Sequence, residues 1–529
     1  MKKAFVFEIL GVAAVLLMTL LHSYAQEDVW LWDEAFYLAR GIDPANYGFP
    51  TWPDSPAHSG LYALVNRMTN DPISAYLVGR AIQAAAFVGC VWIAGKLILR
   101  PYHALMAAAL VSIVPITYGW PGVSNIASGL IIIAIVLLLK NTNPNTFGTV
   151  AILLWIAASS RPEITYAALA ASVFAVTWLF YQLHKETLSR PVNTAAFTIV
   201  GAVALPLFLT VRYGNIFGRF DREWTAFSQH YGLRNSTSGM DVWMSGSDAV
   251  ARDFPNSNSI LQAFVENPSR MSTHIIDNLL LAPQSFIGNT LGFNAEQISE
   301  ITISKLGLIG FFGISLVLFI LNWRAIVSEL KILIQHVLKS NQRPATLLTA
   351  LVILFSSVSL LVIYPRAHYQ LVALGLLTLT MFLLLQSLSQ IHWISRIPLA
   401  WITIAFLIIS VQSILSASER IKSPPIFEAS LREIDKSVAN KIILSRDQPI
   451  TLFLTAAESA TDPRSESTFS NAITRAGINV ILRSTILDES GWGMLEGSQL
   501  SSKTLVSLIS RQSFPGHLFL FERVELTWQ

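Results

Sequence analysis

The side chains able to do chemistry fall in a few short segments between long apolar runs. One is Trp32-Asp33-Glu34-Ala35-Phe36-Tyr37. Acidic residues so close to an apolar run need a reason, because burying Asp at a bilayer centre costs about 2.5–3.5 kcal/mol on insertion scales. The pair must sit in a membrane interface or line a wet cavity, where a carboxylate can take a proton from a hydroxyl. The plainer alternative is a helix start, with Asp33 as cap, Glu34 in the first turn and Gly41 as the stop. Next comes His58-Ser59-Gly60-Leu61-Tyr62, which opens a stretch with apolar residues at Leu61, Leu64, Val65 and Met68. That spacing is one helical face, as in an amphipathic helix lying along a membrane surface. Arg80 then appears inside an apolar run, roughly 9 Å from its outer end at about 1.5 Å per residue. It is either a snorkelling arginine or one that faces a cavity and meets a phosphate.

Two turns complete the set. Ser159-Ser160-Arg161-Pro162-Glu163 reads as a turn with a local Arg–Glu pair, Pro162 suiting a helix start. Tyr364-Pro365-Arg366-Ala367-His368-Tyr369 reads either as an interfacial anchor or as a phosphate clamp. In the clamp, the planar guanidinium fork matches phosphate oxygens and His368 adds a donor.

These segments must be positioned by membrane helices. Of 529 residues 53% are hydrophobic and 13% charged, against about 25% charged in a typical soluble domain. The net charge of +3 shows no nucleic-acid footprint. Cys90 is the only cysteine, so no intrachain disulfide forms. A membrane helix needs about 20 apolar residues, and about eleven candidate spans are expected. They lie at 4–22, 74–93, 104–118, 125–139, 149–159, 165–181, 195–211, 304–321, 346–364, 371–388 and 398–414. The first span also has the makings of a signal peptide, with Lys2 and Lys3 before it and Ser23-Tyr24-Ala25 after it. Lysine and arginine in the alternate short loops place the N-terminus inside. The acidic pair, Arg161, Arg366 and the chain after 416 then fall on the outer face, with Arg80 near it.

The expected class is a mainly α, polytopic helix bundle at 1–416, with outer loops at 23–73 and 212–301. A small extracytoplasmic α/β domain follows at 417–529. Strands are expected there at 449–455, 478–482 and 517–521, with helices at 428–440, 468–476 and 501–511. The long loop holds Trp224, Trp243, Asp221 and Asp241 but no specific motif.

An acidic pair in the first outer loop, a His-x-x-Leu-Tyr segment and an arginine in the next span resemble the GT-C membrane glycosyltransferases. Within that class the pattern is similar to the protein O-mannosyltransferases and the aminoarabinose transferases. Ser59-Gly60 stands where that class has two prolines. The resemblance implies a polyprenyl-phosphate-linked sugar as donor and an acceptor hydroxyl on a glycan, lipid or protein at the outer face. It implies inversion at the anomeric carbon and a catalytic carboxylate, Asp33, with Glu34 steering it, binding sugar or joining a metal site. His58, Tyr62, Arg80, Arg161, Glu163, Arg366, His368 and Tyr369 would bind the donor. A divalent metal is left open. The Met-Lys-Lys start favours a bacterial inner membrane. Two other readings stand beside this one. A lipid-linked glycan polymerase or ligase usually carries its long catalytic loop late in the chain. A transporter would keep its charges near the bilayer midplane.

Overall fold

The computed structural model describes residues 2–291 except 27–28, 30–32, 120–121, 141–143, 186–190, 217–219 and 236–241. It also describes 343–388 and, after 410, scattered short stretches that include the strands below. In chain order the first helices are α1 (Lys2–Gln26), α2 (Asp33–Ile42), α3 (Pro44–Tyr47), α4 (Pro56–Thr69), α5 (Pro72–Ile98) and α6 (Pro101–Val111). Next come α7 (Val123–Lys140), α8 (Pro144–Ser160), α9 (Thr165–His184), α10 (Pro191–Ile199) and α11 (Leu205–Tyr213). Then follow α12 (Phe220–Asn235), α13 (Val242–Asp253), α14 (Ile260–Glu266), α15 (Pro268–Leu291), α16 (Arg343–Val362) and α17 (Leu371–Leu388). Helices α3, α4, α5, α6, α8, α10 and α15 all start on proline, whose missing N–H costs nothing in a first turn. Asp71 caps α5, its carboxylate accepting from the Ser74 N–H at 2.9 Å.

Six described helices are long and apolar enough to cross a membrane by length and composition: 8–25, Pro72–Ile98, Val123–Lys140, Pro162–His184, Asn193–Tyr213 and Pro344–Val362. Pro101–Val111, Asn145–Ser160 and Leu371–Gln386 are shorter apolar helices. The expected span at 304–321 lies outside the described residues, as does nearly all of 398–414. The run expected at 104–118 is not one helix. It stops at Val111 and resumes as the 3₁₀ turn Pro115–Tyr118. Pro115 cannot continue a helix, and the Thr117 hydroxyl instead donates to the Val111 carbonyl at 2.7 Å.

The chain forms two compact units. The first comprises Met1–Ser23, Pro50–His58 and Ala81–Ile414. One of its cores joins α1, α5, α6, α7 and α17 through Val15, Phe87, Leu110, Ile132 and Phe382. Another joins α7, α8, α9 and α16 through Ile131, Trp155, Ala168 and Leu348. Helix α7 serves both and is the most enclosed of the six candidate spans, with 72% of its residues buried. Most of the described residues of the segment expected as a long loop are helical. It builds its own aromatic core from Phe227, Tyr231, Phe254 and Met271.

The second unit comprises Tyr24–Phe49, Ser59–Arg80 and Leu415–Gln529. Two glycines let its helices approach closely. A Cβ on Gly41 of α2 would sit 2.2 Å from the Ser59 carbonyl oxygen of α4. A Cβ on Gly79 of α5 would sit 2.3 Å from the Tyr62 ring. Its strands are β1 (Ile442–Ser445), β2 (Glu458–Ser459), β3 (Val480–Ser484), β4 (Ser507–Pro515) and β5 (Leu520–Thr527). They form one mixed sheet in the order β2-β1-β3-β5-β4. The β1–β2 and β1–β3 pairs are parallel, and β5 is antiparallel to β3 and to β4. Two expectations fail here. The helix expected over 501–511 is strand from Ser507, because antiparallel pairing with β5 outweighs local helical periodicity. Leu452 and Phe453, expected in a strand, are helical and buried. Phe453 stands edge-on to Tyr76, their ring centroids 6.3 Å apart.

Candidate active site

The sequence-selected residues gather into clusters within each unit. In the second unit, α2, α4 and α5 bring Glu34, Tyr62 and Arg80 together. Glu34 and Tyr62 are fully buried, and Arg80 is 3% exposed. The Tyr62 hydroxyl donates to Glu34 Oε1 at 2.5 Å. Arg80 Nη1 stands 3.9 Å from Glu34 Oε2. Each carboxylate oxygen therefore has a partner, as a buried charge requires. Burial first, and the Glu34 carboxylate second, hold the Tyr62 phenol well above its ordinary pKa, so it stays a donor. The Gly79 approach fixes where its ring lies, and Tyr76 stacks on it with centroids 6.5 Å apart. Asp33 opens α2 immediately before this cluster; its side chain lies outside the described residues.

Helix α4 forms over the segment expected to be amphipathic. Leu64 and Met68 are exposed, whereas Tyr62 and Val65 turn inward. His58 is buried in the first unit.

A second cluster lies at the α8–α9 turn of the first unit. The 3₁₀ turn Pro162–Ile164 starts on proline and follows Arg161. Arg161 Nη1 donates to Ser124 Oγ at 2.5 Å, and Nη2 pairs with Glu163. Its guanidinium lies over the Tyr369 ring, 4.7 Å from the centroid. His368 is buried beside Tyr369. Together with Ser128, Ile131 and Ser356 these residues line a cleft of about 20 Å³. That volume holds about one water, so a phosphate would enter only by displacing one of the groups around Arg161.

The third cluster is more open. Arg366 is half-buried in the α16–α17 turn. The His230 ring of α12 stacks on Tyr364, centroids 5.3 Å apart and 12° from parallel. The Arg234 guanidinium lies 6.0 Å from the same Tyr364 ring. Asp277 opposes this charge at 3.7 Å from Arg234. Burial, then the charge of Arg366, pushes the His230 imidazole down to about 3. Burial likewise lowers His274. Both rings are therefore neutral at pH 7, and the cluster's positive charge comes from the two arginines. Paired guanidiniums beside neutral donors suit a phosphate group.

Helix α15 fixes this turn from one side. His274 Nε2 donates to the Val362 carbonyl at 3.0 Å, which sets its tautomer. Asn278 Nδ2 donates to the Leu361 carbonyl at 2.8 Å, and Ser285 Oγ to that of Pro365 at 2.7 Å. Asn289 Nδ2 reaches Gln370 Oε1 at 3.2 Å. The His274 and Asn278 bonds serve carbonyls left without helical partners at the end of α16. His230, Arg234, His274, Asn278, Ser285 and Asn289 escaped the sequence analysis. The signal for α15 was present as polar residues at helical spacing opposite an apolar stripe.

For the metal left open, no group of three His, Cys, Asp or Glu side chains converges among the described residues. Glu34 is already neutralised by Arg80 and Tyr62. The described residues therefore do not fit a divalent ion.

No family model and no curated protein sequence matches the chain. Among solved structures it is similar to ArnT from Cupriavidus metallidurans bound to undecaprenyl phosphate, at 10% identity and a TM-score of 0.38, covering 99% of this chain and 98% of that one. The apo state of the same protein gives 10% identity and 0.40 over the same shares. The archaeal oligosaccharyltransferase AglB from Archaeoglobus fulgidus, with an inhibitory peptide and a dolichol-phosphate, gives 10% and 0.36 over 90% of this chain and 70% of that one. Likeness at this level leaves the chemistry to be read from the side chains described above.

Proposed function

We propose that the protein is a membrane glycosyltransferase that moves a sugar from a polyprenyl-phosphate carrier to an acceptor hydroxyl. The acceptor would be a glycan, a lipid or a protein. The observation that carries the reading is the sealed Glu34–Tyr62–Arg80 group at the start of α2. A fully buried carboxylate, with both oxygens engaged, fixes the backbone on which its neighbour Asp33 stands. Asp33 is assigned as the base. It takes the acceptor proton as the hydroxyl attacks the anomeric carbon, the sugar–phosphate bond breaks, and the configuration inverts. Glu34 is a positioning residue, held by Arg80 and by the Tyr62 hydroxyl.

The leaving phosphate gains negative charge as the bond breaks. Donors aimed at it stabilise the transition state more than the ground state. Arg366 is assigned to that phosphate, with Arg234 beside it. Arg161, His368 and Tyr369 form a tighter donor-binding group, Glu163 holding Arg161 in place and His58 completing the donor set. A phosphate is already a good leaving group, so no strong acid is assigned.

In this reading the chain crosses the membrane about eleven times by the sequence count. The domains divide at 416/417, the catalytic segments and the C-terminal domain are extracytoplasmic, and the membrane is a bacterial inner membrane.

The test uses the full-length protein in membranes with a labelled polyprenyl-phosphate sugar. The wild type should transfer label to an acceptor. Asp33→Asn, with normal expression and normal behaviour in detergent, should lose about 10²–10⁴-fold. Full activity of Asp33→Asn removes Asp33 as base. Release of polymerised glycan, or passage of intact carrier across the bilayer without bond cleavage, would replace the transferase reading altogether.

A further inference from the structure

Helix α15 is inside out. On a helix that packs in water, the apolar stripe turns to the core and the polar face to solvent. Here the inward face carries, beyond Met271 in the first turn, the polar residues His274, Asn278 and Thr290, all buried. The outward face carries Ile276, Leu279, Leu280 and Ile287, each more than half exposed. These lie at helical spacing and form a stripe along α15, with Pro283 and Gln284 exposed between Leu280 and Ile287. The preceding helix buries Ala263 but also exposes apolar side chains, with Leu261 and Val265 of α14 both about three-quarters exposed.

The polar face is committed. Its side chains serve the carbonyls of Leu361, Val362 and Pro365, so α15 cannot rotate its stripe inward without stripping those groups of their donors. Helix α15 also packs along α16, itself a candidate membrane span. Leu354 and Val358 of α16 are exposed in turn. The outward stripe of α15 thus lies beside a helix that is itself long and apolar enough to cross a membrane.

From this geometry we infer that the outer face of α14 and α15 is seated against bilayer lipid, although both helices fall in the segment whose sequence reads as an aqueous loop. The occupant is the acyl-chain region of the membrane. The inference does not depend on the transferase reading, since it rests on which face of α15 is polar.

The test exploits the single cysteine. In a Cys90→Ala background, Leu280→Cys and Val265→Cys are spin-labelled in the full-length protein in liposomes. Access of oxygen, which concentrates among acyl chains, is compared with that of a water-soluble nickel chelate. Oxygen access should exceed nickel access severalfold at both positions. Nickel access exceeding oxygen access at either one overturns the inference in favour of water. Suppression of both reagents at either position also overturns it, by showing a protein cover such as a second copy. Both substitutions change exposed side chains, and Ile276→Cys repeats the measurement on α15 should Leu280→Cys lower the yield of folded protein.

Discussion

The Glu34 cluster and the Arg366 turn handle charge in opposite ways. Around Glu34 one carboxylate meets one guanidinium and one phenol, with no more than 3% exposure on any of them. Around Arg366 two guanidiniums share a half-exposed site with neutral histidines, and Asp277 is the carboxylate that opposes Arg234. The first arrangement is electrically closed and gains nothing by binding an ion. The second is half-exposed and sets two guanidiniums beside the neutral His230 and the Tyr364 ring. In a chain this poor in charge, a sealed pair is best understood as scaffolding and a half-exposed group of guanidiniums as recognition.

The largest effect should come from breaking the closed pair. Glu34→Ala removes the carboxylate that faces the buried Arg80, which costs about 3–5 kcal/mol. Thermal unfolding in detergent would show it. A Glu34→Leu, Arg80→Met double variant removes both charges and should recover most of that loss. If Glu34→Ala unfolds like the wild type, the cluster is not scaffolding and the contrast fails.

At the open site the effect should fall on binding. Arg366→Lys keeps the charge and loses the fork. Binding of a polyprenyl phosphate should weaken roughly thirtyfold, equivalent to about 2 kcal/mol, with little change in unfolding temperature. Wild-type binding should also weaken as salt rises, because the site is half-exposed. Unchanged affinity in Arg366→Lys would leave the turn as an interfacial anchor.

How much of this was legible in the sequence follows from the range of the forces involved. Apolar runs and prolines act locally, so α1, α5, α7, α9 and α16 were readable from spacing. The turn residues Arg161, Glu163, His368 and Tyr369 were readable too, as charges between apolar runs, and they do meet. The pairing of Glu34 with Tyr62, 28 residues away, was not. It depends on helix approaches permitted by Gly41 and Gly79, which no local pattern announces. The strand at Ser507–Pro515 was missed for the same reason, since its partner lies in β5. The buried histidines were missed because a histidine's environment, not its type, sets its charge.

Those histidines give the contrast a pH dependence. His230 has a folded pKa of about 3, below its unfolded value near 6.5. The unfolded chain takes up the proton first, so the stability is fully present above about pH 6.5 and is lost as pH falls towards 3. At pH 5 the loss from His230 is about 2 kcal/mol, and His274 adds to it in the same direction. Hydrogen exchange in α12 and α15, referred to the intrinsic amide rate at each pH, should therefore quicken between pH 7 and pH 5. Glu34, Tyr62 and Arg80 include no histidine, and exchange in α2 should change less. Equal quickening in both places would mean that acid acts on the whole fold and not through this turn.

The smallest expected effect tests whether α15 positions the turn or only covers it. Ser285 Oγ donates to the Pro365 carbonyl at 2.7 Å, but Gln370 Nε2 also reaches that carbonyl at 3.3 Å. Ser285→Ala should therefore cost only about 1 kcal/mol, since the acceptor keeps a donor. Asn278→Ala should cost more, because Asn278 serves the carbonyls of both Leu361 and Ile363. If α15 positions the open site, both variants weaken phosphate binding in that order, and neither alters unfolding of the Glu34 cluster. If Ser285→Ala weakens binding as much as Arg366→Lys, the hydroxyl itself contacts the ligand, and the division between holding the turn and reading the phosphate must be redrawn at Ser285.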